Sequence, residues 1–207
     1  NLWCLNYKKE GRSKLAKVFD DILLQGIRKG QIPARTDAAR EWFRNKARST
    51  SRAKSSPERI LSTSDKKPRV GIGRMYHFFY DPKFKKELPY YDRFPLIFFV
   101  GRAEGGFYGI NIHYLPPQLR AKLMDALYSI STDKRYDENT RIRLSYNLLN
   151  SSAKYKFFKP CFKHYLQKHM RSNFIEINST EWDIALFLPT ERFEKATKRK
   201  VYADSRK

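Results

Sequence analysis

The chain has 207 residues, an apolar fraction of 41% and a formal net charge of +22. This length and composition allow one large domain with a buried core, and no apolar run approaches the roughly 18 residues that a transmembrane helix needs. The positive charge attracts polyanions, so nucleic acid is the leading class of partner and an anionic membrane surface is a weaker one. Packing against acidic proteins in a large assembly is the other interpretation of this charge.

Two helices are the first predicted elements. Apolar residues recur with helical spacing across residues 13–29, and Gly30 is expected to end that helix. A second helix is predicted from Thr36 or Asp37, either of which can cap its N-terminus, to about Arg48. Both helices carry few apolar groups beyond one stripe, so we expect them to pack on another part of the protein.

A basic stretch rich in Ser and Thr follows the helices at residues 49–70. Its composition offers little apolar surface to bury, so it predicts a linker that does not order itself. The chain is therefore divided into a helical extension at residues 1–48, this linker, and a barrel-type α+β domain at residues 71–207.

The chain after Gly71 has the pattern of strands followed by helices. Strands are predicted at 75–80, 96–100 and 107–115, with a hairpin turn at 103–106. The later predicted elements are a helix that begins at Pro117, helices at 138–152, 160–171 and 191–202, and short strands at 174–177 and 184–188. The predicted fold class is α+β: a small, strongly curved antiparallel β-sheet or SH3-like barrel surrounded by helices, with an N-terminal helical extension.

Patterns typical of catalysis or metal binding are not found in the sequence. The histidines are His77, His113, His164 and His169, and none has the spacing of a helical zinc site, so each is expected to be structural or exposed. Cys4 and Cys161 have no neighbour at metal-ligand spacing and are interpreted as reduced thiols. Asp81, Glu87 and Asp92 are close together in a loop rich in Lys, where neutralising local charge is the simpler interpretation. We expect the protein to have no catalytic activity and to bind no metal and no cofactor.

Two basic stretches have the residues needed to bind a phosphate backbone. The first comprises Arg40, Arg44, Lys46, Arg48, Arg52 and Lys54, and the second comprises Lys195, Lys198, Arg199 and Lys200, followed by Arg206 and Lys207. These are the candidate DNA-binding residues, since Lys and Arg can contact phosphates without reading bases. The alternative for each stretch is a solvated charged face or tail. Trp42 and Phe43 are interpreted as core or interface anchors.

Six motifs carry a resemblance to a known family. They are residues 74–83 (RMYHFFYDPK), 88–96 (LPYYDRFPL), 106–117 (GFYGINIHYLPP), 157–161 (FFKPC), 181–189 (EWDIALFLP) and 191–193 (ERF). Together they closely resemble the DNA end protector proteins of tailed bacteriophages with contractile tails. The resemblance covers residues 36–207 and does not include residues 1–35.

The resemblance implies a minor virion protein that is added late in head completion and sits on the end of the packaged DNA. It would shield that end from the host's recombination exonuclease after injection, as a binder without turnover. The implied partners are the double-stranded DNA end and other phage structural proteins of the head, neck or tail, with no membrane insertion. The implied locations are the virion and the host cytoplasm. A structural neck, tail or baseplate component is the alternative, and a small-barrel ribonuclease is a third hypothesis.

Overall fold

The computed structural model describes residues 18–33, 35–64, 66–67, 70–132, 135, 145, 147–149, 151 and 156–205. The predicted helix at 138–152 lies mostly outside the described residues. Cys4, Arg206, Lys207 and the start of the first predicted helix also lie outside them.

The described helices and strands alternate irregularly along the chain. The α-helices are α1 (Val18–Arg28), α2 (Asp37–Arg48), α3 (Pro57–Thr63), α4 (Pro117–Thr132), α5 (Trp182–Ala185) and α6 (Lys198–Asp204). The strands are β1 (Lys66–Lys67), β2 (Met75–His77), β3 (Tyr91–Asp92), β4 (Leu96–Ala103), β5 (Gly106–Asn111), β6 (Phe162–Leu166), β7 (Phe174–Ile177) and β8 (Phe193–Glu194). Short 3₁₀ turns lie at Ile112–Tyr114, Lys159–Cys161, Gln167–His169 and Ser179–Glu181.

Six of the strands form one antiparallel sheet, in the order β1-β7-β2-β4-β5-β6. The strands β3 and β8 form a separate antiparallel pair. The predicted α+β class is confirmed. The edge strands β1 and β6 do not pair with each other, so the described strands form no closed barrel. The predicted curvature of the sheet and its likeness to an SH3 fold stay predictions.

The predicted hairpin and the buried central strand are both confirmed. Ala103 pairs with Gly106 across the turn, and Gly105 has φ 65°, a left-handed conformation that glycine adopts without steric cost. Residues 96–100 are all buried, because successive side chains of β4 point to opposite faces of the sheet and both faces are covered. On one face lies the main core with the helices, and on the other lies a mostly aromatic cluster that includes Phe78, Phe107 and Tyr165.

The helices α1 and α2 pack onto the rest of the molecule, as their narrow apolar stripes predict. Ile22, Phe43 and Ala47 belong to the same buried cluster as Ile184 of α5 and the sheet residues. A Cβ atom on Gly26 of α1 would overlap the ring of Phe43, so this glycine permits close approach of the two helices. The division of the chain into three segments stays a prediction.

The prediction of a stretch without order at 49–70 is wrong for helix α3. Ser56 caps this helix by accepting from the backbone N–H of Arg59, and Pro57 occupies its first turn. Ile60 is 1% exposed and joins the main core. Ile60, with Leu61 packed against the same core, therefore anchors a segment whose average composition indicates a linker.

Three predicted elements in the C-terminal part are corrected by the structure. Residues 160–171 form strand β6 between 3₁₀ turns, because pairing with β5 overrides the helical spacing of the apolar residues. Residues 184–188 do not return to the sheet: α5 begins at Trp182, after a capping box between Asn178 and Glu181. The helix predicted at 191–202 begins only at Lys198, because strand β8 precedes it.

Candidate nucleic-acid interface

Helix α2 carries the first four candidate DNA-binding residues, and Arg44 is the most buried of them. Its Nε donates to Oδ1 of Asp183 at 2.6 Å, and its Nη2 donates to Oδ1 of Asp125 at 2.8 Å. Burial lowers the pKa of Arg44, but the hydrogen bond to Asp125 and the charge of Asp183 outweigh it, so the pKa is raised overall. Burial raises the pKa of Asp183 despite the attraction of Arg44. The side chain of Arg44 is 6% exposed and is paired with two carboxylates, so it is poorly placed to bind a phosphate.

Arg40 and Arg48 are also engaged within the protein. The guanidinium of Arg40 forms ion pairs with Asp125 and Asp37 and lies 4.7 Å from the ring centroid of Tyr128. The guanidinium of Arg48 lies 4.3 Å from the ring centroid of Phe187. Its Nη1 donates to Asn45 at 2.7 Å and to Glu41 at 3.2 Å. Lys46, on the same helix, is half-buried.

The remaining candidates come from two stretches that are far apart in the sequence. Arg52 and Lys54 are exposed in the turn between α2 and α3. The ammonium group of Lys195 donates hydrogen bonds to the carbonyl oxygens of Lys86 and Leu88, at 2.9 and 3.0 Å. These bonds fix the position of the backbone before α6.

The first two residues of α6 lie near the turn that carries Arg52, and Thr197 caps the helix by accepting from Lys200 N. Lys200 pairs with Asp204 at 3.4 Å along this helix.

The two basic stretches meet at one cleft of about 380 Å³, which we call the basic cleft. It is lined by Arg52, Glu191, Arg192, Phe193, Ala196, Thr197, Lys198 and Arg199. Residues separated by more than 130 positions thus share one concave surface. Of the predicted candidates the cleft includes Arg52, Lys198 and Arg199, and it adds Arg192, which sequence reasoning missed. The only available signal for Arg192 was its place in the family motif at 191–193.

The basic cleft holds more positive charge than its single carboxylate neutralises. Glu191 is buried and forms an ion pair with Lys198. Burial and the neighbouring charges of Arg52 and Arg120 lower the pKa of Lys198 to about 8. Burial and Arg52 also lower the pKa of Arg192. Burial is the larger cause of both shifts, and the repulsion from Arg52 that adds to it indicates that the cations of the cleft lie close together.

A network of buried polar side chains holds the backbone that carries Arg192. Asp92 accepts from His113 Nδ1 at 2.6 Å and from the backbone N–H of Arg192 and Phe94, each at 3.1 Å. The side-chain amide of Asn111 also donates to Asp92. Burial alone would raise the pKa of Asp92, but His113 and these hydrogen bonds lower it, so the carboxylate is charged. The interpretation of Asp92 as a neutraliser of loop lysines is therefore wrong.

The same network resembles the order of groups in a hydrolase triad but has no access to substrate. His113 bridges Asp92 and the hydroxyl of Thr190, whose Oγ1 lies 3.1 Å from His113 Nε2. Burial lowers the pKa of His113, which keeps the ring neutral. His113 and Thr190 are 0% exposed, so the arrangement supports structure, as predicted for the histidines. A nucleophile must reach its substrate to act.

A second buried cation, Arg120, connects α4 to α6, the helix that supplies part of the cleft. Arg120 is 3% exposed and donates to the carbonyl oxygens of Leu115, Leu186 and His113 and to the hydroxyl of Tyr202 on α6. All of its described partners are neutral oxygens, and burial lowers its pKa. This guanidinium positions α6, the helix whose first turn supplies Lys198 and Arg199.

The described part of the chain has neither a residue cluster suited to a metal ion nor a helix suited to span a membrane. No group of three or more His, Cys, Asp or Glu residues there is arranged to hold a metal ion. Among the same residues no helix combines the length and apolar character needed to cross a membrane.

Comparison with known proteins gives one match. A family model described as the phage T4 terminal DNA protecting protein matches residues 5–206. No curated protein and no solved structure matches the chain.

Proposed function

Because the chain belongs to the phage T4 terminal DNA protecting protein family, whose members protect DNA ends, we propose that the basic cleft is the surface that binds the DNA end. Arg52, Arg192 and Arg199 bind backbone phosphates, Lys198 neutralises the buried Glu191 beside them, and the body of the protein blocks the end. Phosphate contacts of this kind carry no sequence information, which suits a protein that must protect an end whatever its bases.

The observation that carries this proposal is a difference in ion pairing: within the described chain the arginines of the cleft have no carboxylate partner, whereas the arginines of helix α2 do. Arg52 and Arg199 are exposed and have no carboxylate partner among the described residues. Arg192 donates only to the backbone oxygens of Pro189 and Glu191 within the described chain, at 3.2 and 2.9 Å. The arginines of α2 already have carboxylate partners, and Arg44 is buried as well. Cations without an internal partner can give their full charge to a phosphate.

The biological setting follows the same proposal. The protein is a virion component that reaches the host cell with the genome and shields the DNA terminus from exonuclease after injection. It acts by occupying the end, without turnover, and it contacts other structural proteins of the head, neck or tail when it is installed during head completion.

The salt dependence of DNA binding tests the cleft. We expect the double variant Arg52→Gln/Arg199→Gln to reduce the slope of log K against log[salt] on linear duplex DNA by roughly 2, since each lost phosphate contact removes about 0.9. The matched control, Arg28→Gln/Arg102→Gln, removes the same charge at exposed positions that are not in the cleft. The measurement is a fluorescence titration at several KCl concentrations. Equal slopes for the two double variants would reject the assignment.

A further inference from the structure

Binding to the phosphate backbone alone does not explain why a protein prefers a DNA end. Each internal phosphodiester carries one negative charge, and a basic surface finds these charges along the whole duplex. A terminal phosphate is a monoester, which carries about −1.5 to −2 charge near pH 7 and has three strong acceptor oxygens. Its extra charge and extra oxygen exist only where a strand ends.

We propose that the basic cleft recognises the terminal phosphomonoester of the DNA end. This inference rests on the proposed function of the cleft and adds the chemical group that the cleft selects. Four basic side chains and one carboxylate line a single concavity of about 380 Å³. A cluster of cations binds a dianion more strongly than a monoanion, because the Coulomb attraction grows with the product of the charges.

The cleft collects its cations from three segments of the chain. Arg52 comes from the turn after α2, Arg192 from the segment before β8, and Lys198 and Arg199 from the first turn of α6. Such an arrangement surrounds a compact group, whereas contact with successive diesters needs cations spread along a surface. Each guanidinium offers a planar fork of donors that matches two phosphate oxygens.

Two acidic groups near the cleft, Glu191 and Asp92, are engaged by internal partners. Glu191 is held by Lys198, and Asp92 is held by His113, Asn111 and backbone N–H groups beneath Arg192. Glu58 on α3 contributes a weaker attraction to Arg192 than the repulsion from Arg52. The carboxylates therefore leave the cleft positive.

The anchoring of Arg192 makes the cleft ready for an anion before binding. The two backbone acceptors of its Nη1 fix the guanidinium, and Asp92 fixes its backbone N–H at 3.1 Å. A donor that is already in place loses little conformational entropy when a ligand arrives. Phe193 and Ala196 contribute apolar surface to the wall of the cleft.

The test compares blunt duplexes of one sequence that differ only at their termini. One carries 5′-phosphates, one carries 3′-phosphates and one carries hydroxyl groups at every terminus, and a covalently closed dumbbell has no terminus. We expect at least one phosphorylated duplex to bind about tenfold more tightly than the hydroxyl duplex, since hydrogen bonds to a charged group are among the strong ones. The comparison between the 5′ and 3′ forms identifies which strand terminus the cleft receives.

The same variants separate the cleft from the rest of the basic surface. We expect Arg52→Gln/Arg199→Gln to lose the preference for phosphate, while Arg28→Gln/Arg102→Gln keeps it. Equal binding of phosphorylated and hydroxyl duplexes, both tighter than the dumbbell, would overturn the inference and leave the proposed function intact. Equal binding of all four DNAs would overturn the proposed function as well.

Discussion

Replacing Asp92 with Ala should lower the free energy of unfolding by about 3–5 kcal/mol, as is typical when one partner of a buried charged network is removed. Asp92 is 3% exposed and accepts hydrogen bonds from His113, Asn111, Phe94 and Arg192. The substitution leaves these donors without their acceptor in a site that water does not reach. We expect Asp92→Ala and Arg44→Ala to cause the two largest losses of folding stability among the single substitutions described here.

The control for Asp92 is Asp81, a carboxylate on the surface of the same β-rich part. Asp81 pairs with Lys85 at 3.0 Å and with Arg171 at 3.3 Å, and all three side chains are partly solvated. Exposed ion pairs contribute little, so Asp81→Ala should cost about 1 kcal/mol or less. Urea unfolding followed by circular dichroism measures both values. A loss at Asp92 no greater than that at Asp81 would show that the buried network does not hold the backbone of Arg192.

Replacing Arg44 with Ala should give the second large loss of stability. It should leave DNA binding unchanged, so the two properties can be measured apart. The substitution leaves Asp183, whose side chain is 4% exposed, without its cation, and we expect a loss of about 3–5 kcal/mol. The salt slope of DNA binding should not change, because the buried guanidinium contacts carboxylates and no phosphate. The measurements are urea unfolding and the KCl titration on linear duplex.

Two further variants make the Arg44 result interpretable. Lys46→Ala, on the same helix but half-buried at its surface, should cost about 0.5 kcal/mol or less. The double variant Arg44→Met/Asp183→Leu removes both charges together and should recover most of the lost stability, since well-packed apolar residues often replace a buried ion pair at little cost. A folded Arg44→Met/Asp183→Leu protein with a salt slope reduced by about 1 would instead assign Arg44 to the phosphate contacts.

Local patterns predicted much of the sheet. The apolar run at 96–100 and the turn at 103–106 identified β4 and its hairpin, because strand alternation and turn chemistry are properties of neighbouring residues. Strand β6 was mistaken for a helix because its partner, β5, is more than 50 residues earlier in the chain. Helix α3 was missed because its order depends on a pocket for Ile60 that the rest of the fold supplies.

The candidate site was predictable in composition but not in arrangement. The sequence identified Arg52, Lys198 and Arg199 as candidates on two stretches, and nothing in their spacing brings those stretches together. In the sequence Arg44 and Arg52 have the same formal charge and cannot be distinguished. In the structure Arg44 is neutralised by carboxylates inside the protein, whereas Arg52 has no described carboxylate partner. Burial and pairing, rather than charge itself, decide which cations are available to DNA.

Protection of a linear duplex from a processive exonuclease is the measurement that tests the central claim most directly. Wild type, Arg52→Gln/Arg199→Gln and Arg28→Gln/Arg102→Gln are each mixed with the same blunt, 5′-phosphorylated duplex at one protein concentration and physiological salt. We expect wild type and Arg28→Gln/Arg102→Gln to preserve the DNA, while Arg52→Gln/Arg199→Gln permits digestion at close to the rate of unprotected DNA. Equal protection by all three proteins would contradict the assignment of the DNA end to the basic cleft.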